Sequence, residues 1–228
     1  MSLRLVGALL GTAAVLAAAP SLPAQKKQPK FIPPEVASAG DINYPIDSVA
    51  SGVVVVAVKL GDEGQIEGTE VLRDVPSLTS PVLLSLQNWT FKPATLDARA
   101  VDSTILVGIA FNPSDYRLRS GTTPAFGKEL RTLSPDDDGF LPPKITGTAW
   151  ADYPMNSLAQ GAVLLDVTIS DTGEVTRAAP VATVPSLTAI SVSAAKKWTF
   201  QAARFKGMAI PSKAVAGFVF RLPNISQP

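Results

Sequence analysis

The chain has 228 residues, 46% hydrophobic and 17% charged, with 20 basic and 19 acidic side chains, enough to bury a sizeable core in one or two domains. It contains no cysteine and no histidine. Disulfides, thiolate or imidazole metal sites and Ser-His-Asp or Cys-His nucleophiles are therefore excluded, and the balanced charge offers no pull toward nucleic acid or a membrane surface.

Arg4 precedes an apolar run over residues 5–19, followed by Pro20 and Ser21-Leu22-Pro23-Ala24. This is the order of a secretory signal peptide ending at residue 24, and the run is shorter than the roughly 20 residues that span a bilayer. An uncleaved inner-membrane anchor is the alternative, and membrane contact is expected only if residues 1–24 are retained. Residues 25–30, with three lysines, read as a short leader. Residues 31–34 form an extended lead-in, because Pro33 and Pro34 lack N–H groups and disfavour helix before them.

Tyr44-Pro45 predicts the opening of a short helix with Ile46, Val49 and Ala50 as its apolar stripe. Gly52 ends it. A strand follows in which Val54, Val56, Val58 and Leu60 share one face. Asp62-Glu63-Gly64 is a hairpin turn, returning through residues 65–72. Pro76-Ser77-Leu78 announces a second helix starting near Thr79 or Ser80, with Pro81 in its first turn. Val82, Leu86 and Trp89 are spaced to face the sheet, and Phe91 buries beside them; an exposed aromatic platform for a ligand is the other reading of this pair. A closing strand carries Val107, Ile109 and Phe111 on one face. Residues 114–139 read as a solvated linker, with Pro124, Pro135 and Asp136-Asp137-Asp138-Gly139; the three aspartates lack the alternation of a calcium loop.

From residue 140 the same text returns. Trp89-Thr90-Phe91 recurs as Trp198-Thr199-Phe200, Tyr44-Pro45 as Tyr153-Pro154, and 75–79 as 184–188. Between 44 and 111, 22 of 68 positions are identical at this offset with no gap, so one module is written twice. The unit is too long for a solenoid repeat and reads as tandem domains. In the second copy Val163, Val167 and Ile169 alternate with Asp166 and Thr168, the pattern of a half-buried strand. Asp171-Thr172-Gly173 spells the triplet of aspartic proteases, but Glu63 stands at the matching place in copy one, and each triplet is accounted for as a hairpin. Residues 31–113 carry 10 acidic and 4 basic side chains, residues 140–222 carry 4 and 8; this reads either as drift on two solvated surfaces or as copies that attract each other.

The predicted fold is α+β: two tandem αββαβ domains over 31–113 and 140–222, each a three-stranded antiparallel sheet backed by helices, with 223–228 as a tail. Tyr153-Pro154, Ala159, Gly161, Asp171, Gly173, Val175, Leu187, Ala194-Ala195, Lys197-Trp198, Phe200, Ala203, Gly207 and Phe220, with Trp89, Phe91, Pro93 and Ala94 closing copy one, resemble the TonB C-terminal domain family in both copies. The resemblance implies a periplasmic domain whose last strand offers its free edge to an extended segment of an envelope protein such as an outer-membrane transporter, by strand addition. Carried over by position, the partner-binding edge is Ile105, Leu106, Val107, Gly108, Ile109 and Ala110 in copy one, and Ala214, Val215, Ala216, Gly217, Phe218 and Val219 in copy two. Energy transducers of that family carry an anchored helix, usually with a histidine, and a long spacer. Six leader residues reach at most about 20 Å, so force transmission between membranes is not expected.

The expected function is that of a non-enzymatic periplasmic adaptor, linked to TonB-type transport, with no cofactor, no metal, no small-molecule substrate and no nucleic acid. The alternative is a self-contained structural scaffold in which the two copies pair edge to edge.

Overall fold

The computed structural model describes residues 30–112, 130–154 and 157–222. The expected signal segment and most of the leader, residues 113–129 of the linker region, and the tail lie outside these. The first half runs β1 (Phe31–Ile32), β2 (Glu35–Ser38), β3 (Gly52–Leu60), β4 (Ile66–Arg73), α1 (Thr79–Leu86), β5 (Thr90–Lys92), β6 (Ala94–Leu96), β7 (Arg99–Val101) and β8 (Ser103–Phe111). The second runs β9 (Phe140–Leu141), β10 (Lys144–Gly147), β11 (Gly161–Ile169), β12 (Val175–Ala182), α2 (Pro185–Ala195), β13 (Thr199–Gln201), β14 (Ala203–Phe205), β15 (Met208–Ile210) and β16 (Ser212–Phe220). Every strand of the second half sits 109 residues after its counterpart; only the helix starts differ. Pro185 takes the first turn of α2, where a missing N–H loses nothing. In the first half Ser77 has a left-handed φ of 70°, which delays α1 to Thr79.

The halves do not hold separate sheets. One six-stranded sheet runs in the order β12-β11-β16-β8-β3-β4, antiparallel throughout except at its centre, where β8 and β16 pair in parallel. Both of its faces are buried. On one face α1 and Trp89 cover Val54, Val56, Val58, Leu60, Ile105, Val107 and Ile109, and this cluster extends into the second half at Leu164, Val215 and Val219. On the other, α2 and Trp198 cover Val163, Leu165, Val167, Ala214, Ala216 and Phe218, and this cluster extends into the first half at Val53, Val55, Ala57, Leu106 and Ala110. Burial on both faces is why β3 and β8 read as nearly unbroken apolar runs.

The central register follows from symmetry. Two like halves joined through parallel strands are related by an axis along those strands, so each half presents to one face what the other presents to the opposite face. Residues 109 apart must then point oppositely, and cannot be paired, because paired side chains share a face. The register is slipped by one residue: Leu106 pairs with Ala214 and Val107 with Val215, while Ile105 and Ala214 belong to opposite cores.

Four expectations are corrected. The two separate three-stranded sheets are one. The four inner strands β3, β8, β11 and β16 are buried on both sides, Leu164 and Asp166 included, where the alternation suggested half-burial. The helix expected at Tyr44-Pro45 is a turn and loop. Its seven residues before Gly52 make too few helical bonds to offset nucleation, and the Tyr44 hydroxyl instead donates to the Ala50 carbonyl. Ile46 and Val49 consequently stand 95% and 86% exposed. The described end of the linker is not all solvated: Leu130 is buried in the core around α2, and the Arg131 N–H donates to the Leu72 carbonyl at 3.1 Å.

The small strands finish each half. β2 pairs with β5 and β10 with β13, while β1-β6-β7 and β15-β14-β9 form two three-stranded sheets. These meet across the halves: the Phe31 ring stacks on Phe140 at 4.6 Å and on Phe205 at 5.2 Å.

Candidate functional site

The predicted partner-binding residues lie at the centre of the sheet, not at its margin. Ile105, Leu106, Val107, Gly108, Ile109 and Ala110 are bonded to β3 on one side and, from Leu106 onward, to β16 on the other. Ala214, Val215, Ala216, Gly217, Phe218 and Val219 lie between β11 and β8. All twelve are buried. The edge carried over from the resemblance is taken within the chain, and the physical reason is legible in the strands. A free edge is ordinarily protected by charge, proline or a bulge; β8 carries no charge and β16 only Lys213 near its start, and the rest of both strands is apolar on both faces.

Packing seals the seam. A β-carbon on Gly108 would approach Ile145 Cδ1 to 2.7 Å and Trp198 Cζ3 to 2.9 Å; one on Gly217 would approach Ile109 Cδ1 to 2.5 Å and Leu164 Cδ2 to 2.7 Å. Each glycine thus lets a side chain of the opposite half close on the backbone. Beyond the strand ends, the Asn112 side chain donates to the Ala151 carbonyl at 2.9 Å. The Arg221 guanidinium lies 4.6 Å from the Tyr44 ring centroid and donates to the Ser48 carbonyl.

An ion triad joins the halves on the α1 face. Lys213 Nζ contacts Glu35 Oε2 at 2.5 Å and Asp166 Oδ2 at 2.6 Å, and Lys92 reaches the other Glu35 oxygen at 3.0 Å. Hydrogen bonds from Lys213 and then Lys92 hold the Glu35 carboxyl below its ordinary value. Burial pushes Asp166 up in spite of Lys213. Burial alone would lower Lys213, but its bonds to Asp166 and Glu35 outweigh that and raise it. The directions are compatible: two carboxylates favour one ammonium, while the more deeply buried carboxylate pays for its desolvation. The one sequence signal was Asp166 inside an apolar strand.

The true edges of the large sheet are β4 and β12. They differ in one place that matters: Pro180 in β12 stands where β4 has Val71. Beside β4 lies a groove of about 490 Å³ lined by Glu67, Glu70, Asp102, Asp136 and Asp137, with Lys59 as its basic residue. Asp136 closes a turn by accepting from the Phe140 N–H at 2.7 Å, and burial raises its carboxyl.

With this geometry in place, residues 43–113 match a known family. The match is to the Gram-negative bacterial TonB protein C-terminal family. It covers the loop before β3 through the end of β8, and so one copy of the repeat, and points to a TonB-like envelope protein. No curated protein and no solved structure matches the chain. TonB C-terminal domains are periplasmic, and among the described residues no helix is long and apolar enough to cross a membrane. The matched TonB C-terminal segment ends in the strand whose outer edge β16 occupies.

Proposed function

We propose that the protein is a non-enzymatic periplasmic scaffold, reached through a signal peptide, in which two TonB C-terminal-like halves complete each other's sheet. The parallel pairing of β8 with β16 carries this reading. Strand addition needs a row of unpaired main-chain groups, and in this chain the second half supplies the partner that an isolated half would have to recruit. Recruitment of an outer-membrane transporter by the final strands, the adaptor reading, would require opening a seam buried on both faces. TonB C-terminal domains act on outer-membrane transporters, which keeps the envelope as the place of action.

Two measurements in cells test it. Val107 and Val215 are paired across the seam, so Val107→Cys with Val215→Cys, in a chain without other cysteines, is expected to form an intrachain disulfide in the periplasm. A photoreactive residue at Thr104 is expected to crosslink only to its own chain. Capture of a transporter segment from Thr104, with the cysteine pair unjoined, would overturn the scaffold in favour of the adaptor.

A further inference from the structure

We infer that the outer edge of β4 is a docking strand for an extended basic polypeptide segment of another protein, laid antiparallel or parallel to residues 67–71. This goes beyond the scaffold reading, since the sealed seam exists whether or not β4 binds anything.

Three observations converge on this edge. The first is the contrast between the two margins. A proline fits inside a strand only where its missing N–H would face away from the neighbouring strand, so Pro180 blunts the outer edge of β12. Its counterpart Val71 shares that placement, opposite Val56 as Pro180 is opposite Leu165, and keeps an outward N–H; Thr69, two residues back, faces the same way. The second is that the edge already accepts main-chain pairing at one end, where the register shifts at Leu72 and Arg131 donates to its carbonyl. The third is the groove alongside. Glu67 and Glu70 belong to β4 itself, and Asp102, Asp136 and Asp137 line the groove with them, against Lys59 as the one basic side chain among the described lining residues. Ser103, 4% exposed, lines the same groove, and among the described residues neither its hydroxyl nor one carboxylate oxygen of Asp136 has a hydrogen-bond partner.

The charge selects the occupant. A strand added to β4 projects alternate side chains toward the groove, and cations at those positions would meet the carboxylates while the backbone bonds to Thr69 and Val71. The same carboxylates disfavour a second β4, so self-pairing of two copies is not the expected use of this edge.

The test uses the full chain and a fluorescein-labelled octapeptide of alternating lysine and valine, with an alternating glutamate and valine peptide as control. Fluorescence anisotropy is expected to show binding of the lysine peptide, weakened at least tenfold by Glu67→Lys with Glu70→Lys, and at least tenfold by Val71→Pro, which copies the residue found at 180. Hydrogen exchange read residue by residue, with no substitution, is expected to slow at Thr69 and Val71 when the lysine peptide is added. The proposal is overturned if the two peptides bind alike, if a folded Val71→Pro binds as well as the parent, or if exchange at Thr69 and Val71 is unchanged. The disulfide across Val107 and Val215 reports on the scaffold independently, so the two ideas fail separately.

Discussion

Trp198 of the second half packs on Gly108 of the first, where a single added carbon would come within 2.9 Å of the indole and 2.7 Å of Ile145. Gly108→Ala is therefore an overpacking change at the seam. It should cost about 1–3 kcal/mol, read as a lower urea midpoint with an unchanged slope. A midpoint equal to the parent's would mean that the indole does not rest there.

Trp198 is 1% exposed and donates its indole N–H to the Ala149 carbonyl at 3.1 Å. Trp198→Ala should cost about 3–5 kcal/mol. Because its core contains residues of both halves, the fluorescence of Trp89, isolated by also replacing Trp150 with phenylalanine, should report the same unfolding transition as circular dichroism. Two separated transitions would contradict a shared core.

The triad predicts a pH signature. Glu35 sits below its ordinary 4.5, so its share of stability is complete above that value and fades as pH falls through the lowered one. Lys213, held above 10.5, contributes fully below 10.5 and loses its share only as pH rises through its raised value. Asp166 runs the other way: lifted above 3.8 by burial, its ionisation costs stability above its raised value, and the cost is relieved in acid. Lys213→Met leaves Asp166 buried beside Glu35 with its ion-pair partner gone, while Lys92 still holds the other Glu35 oxygen. It should destabilise by about 3 kcal/mol near pH 7, the lower end for a broken buried pair, because Lys213 keeps 20% of its side-chain exposure. Near pH 3 the gap from the parent should shrink. Urea midpoints at the two pH values check this, and a gap independent of pH would rule the triad out as its source.

The Tyr153 hydroxyl donates to the Ala159 carbonyl at 2.6 Å, as Tyr44 does to Ala50 in the other half. Tyr153→Phe should lose about 1 kcal/mol, while amide exchange between 157 and 160 accelerates and that of β11 does not. Acceleration spread through β11 would instead make the tyrosine a core support.

Much of this architecture was legible. The gapless offset placed every strand of one half on its counterpart, and Asp62-Glu63-Gly64 and Asp171-Thr172-Gly173 are the hairpins expected. Gly64 and Gly173 carry φ of 84° and 90° and tuck under the Phe91 and Phe200 carbonyls. Trp89, Phe91, Trp198 and Phe200 are buried as their spacing implied. One face of a strand taken alone does not distinguish an edge from an interior strand. Val53, Val55 and Ala57 sit between the valines assigned to the core, and Leu106 and Ala110 between those of the closing strand; that unbroken run is the mark of an interior strand, and it argues against an edge without any structure. The Tyr-Pro pair differs: its apolar neighbours had helical spacing, but a side-chain bond six residues on fixed a loop. The triad was out of reach, because Glu35 and Lys213 are 178 residues apart and nothing local marks them as partners.

The pairing of β8 with β16 has a consequence for dilution. Were the halves separate molecules, their union would be a second-order encounter, and the sheet would come apart as the concentration fell. Tethered on one polypeptide, each meets the other at an effective concentration that does not depend on how much protein is present. Assembly then becomes first-order, insensitive to how few copies a cell makes, and the two halves are free to diverge into an acidic and a basic surface without losing their mate.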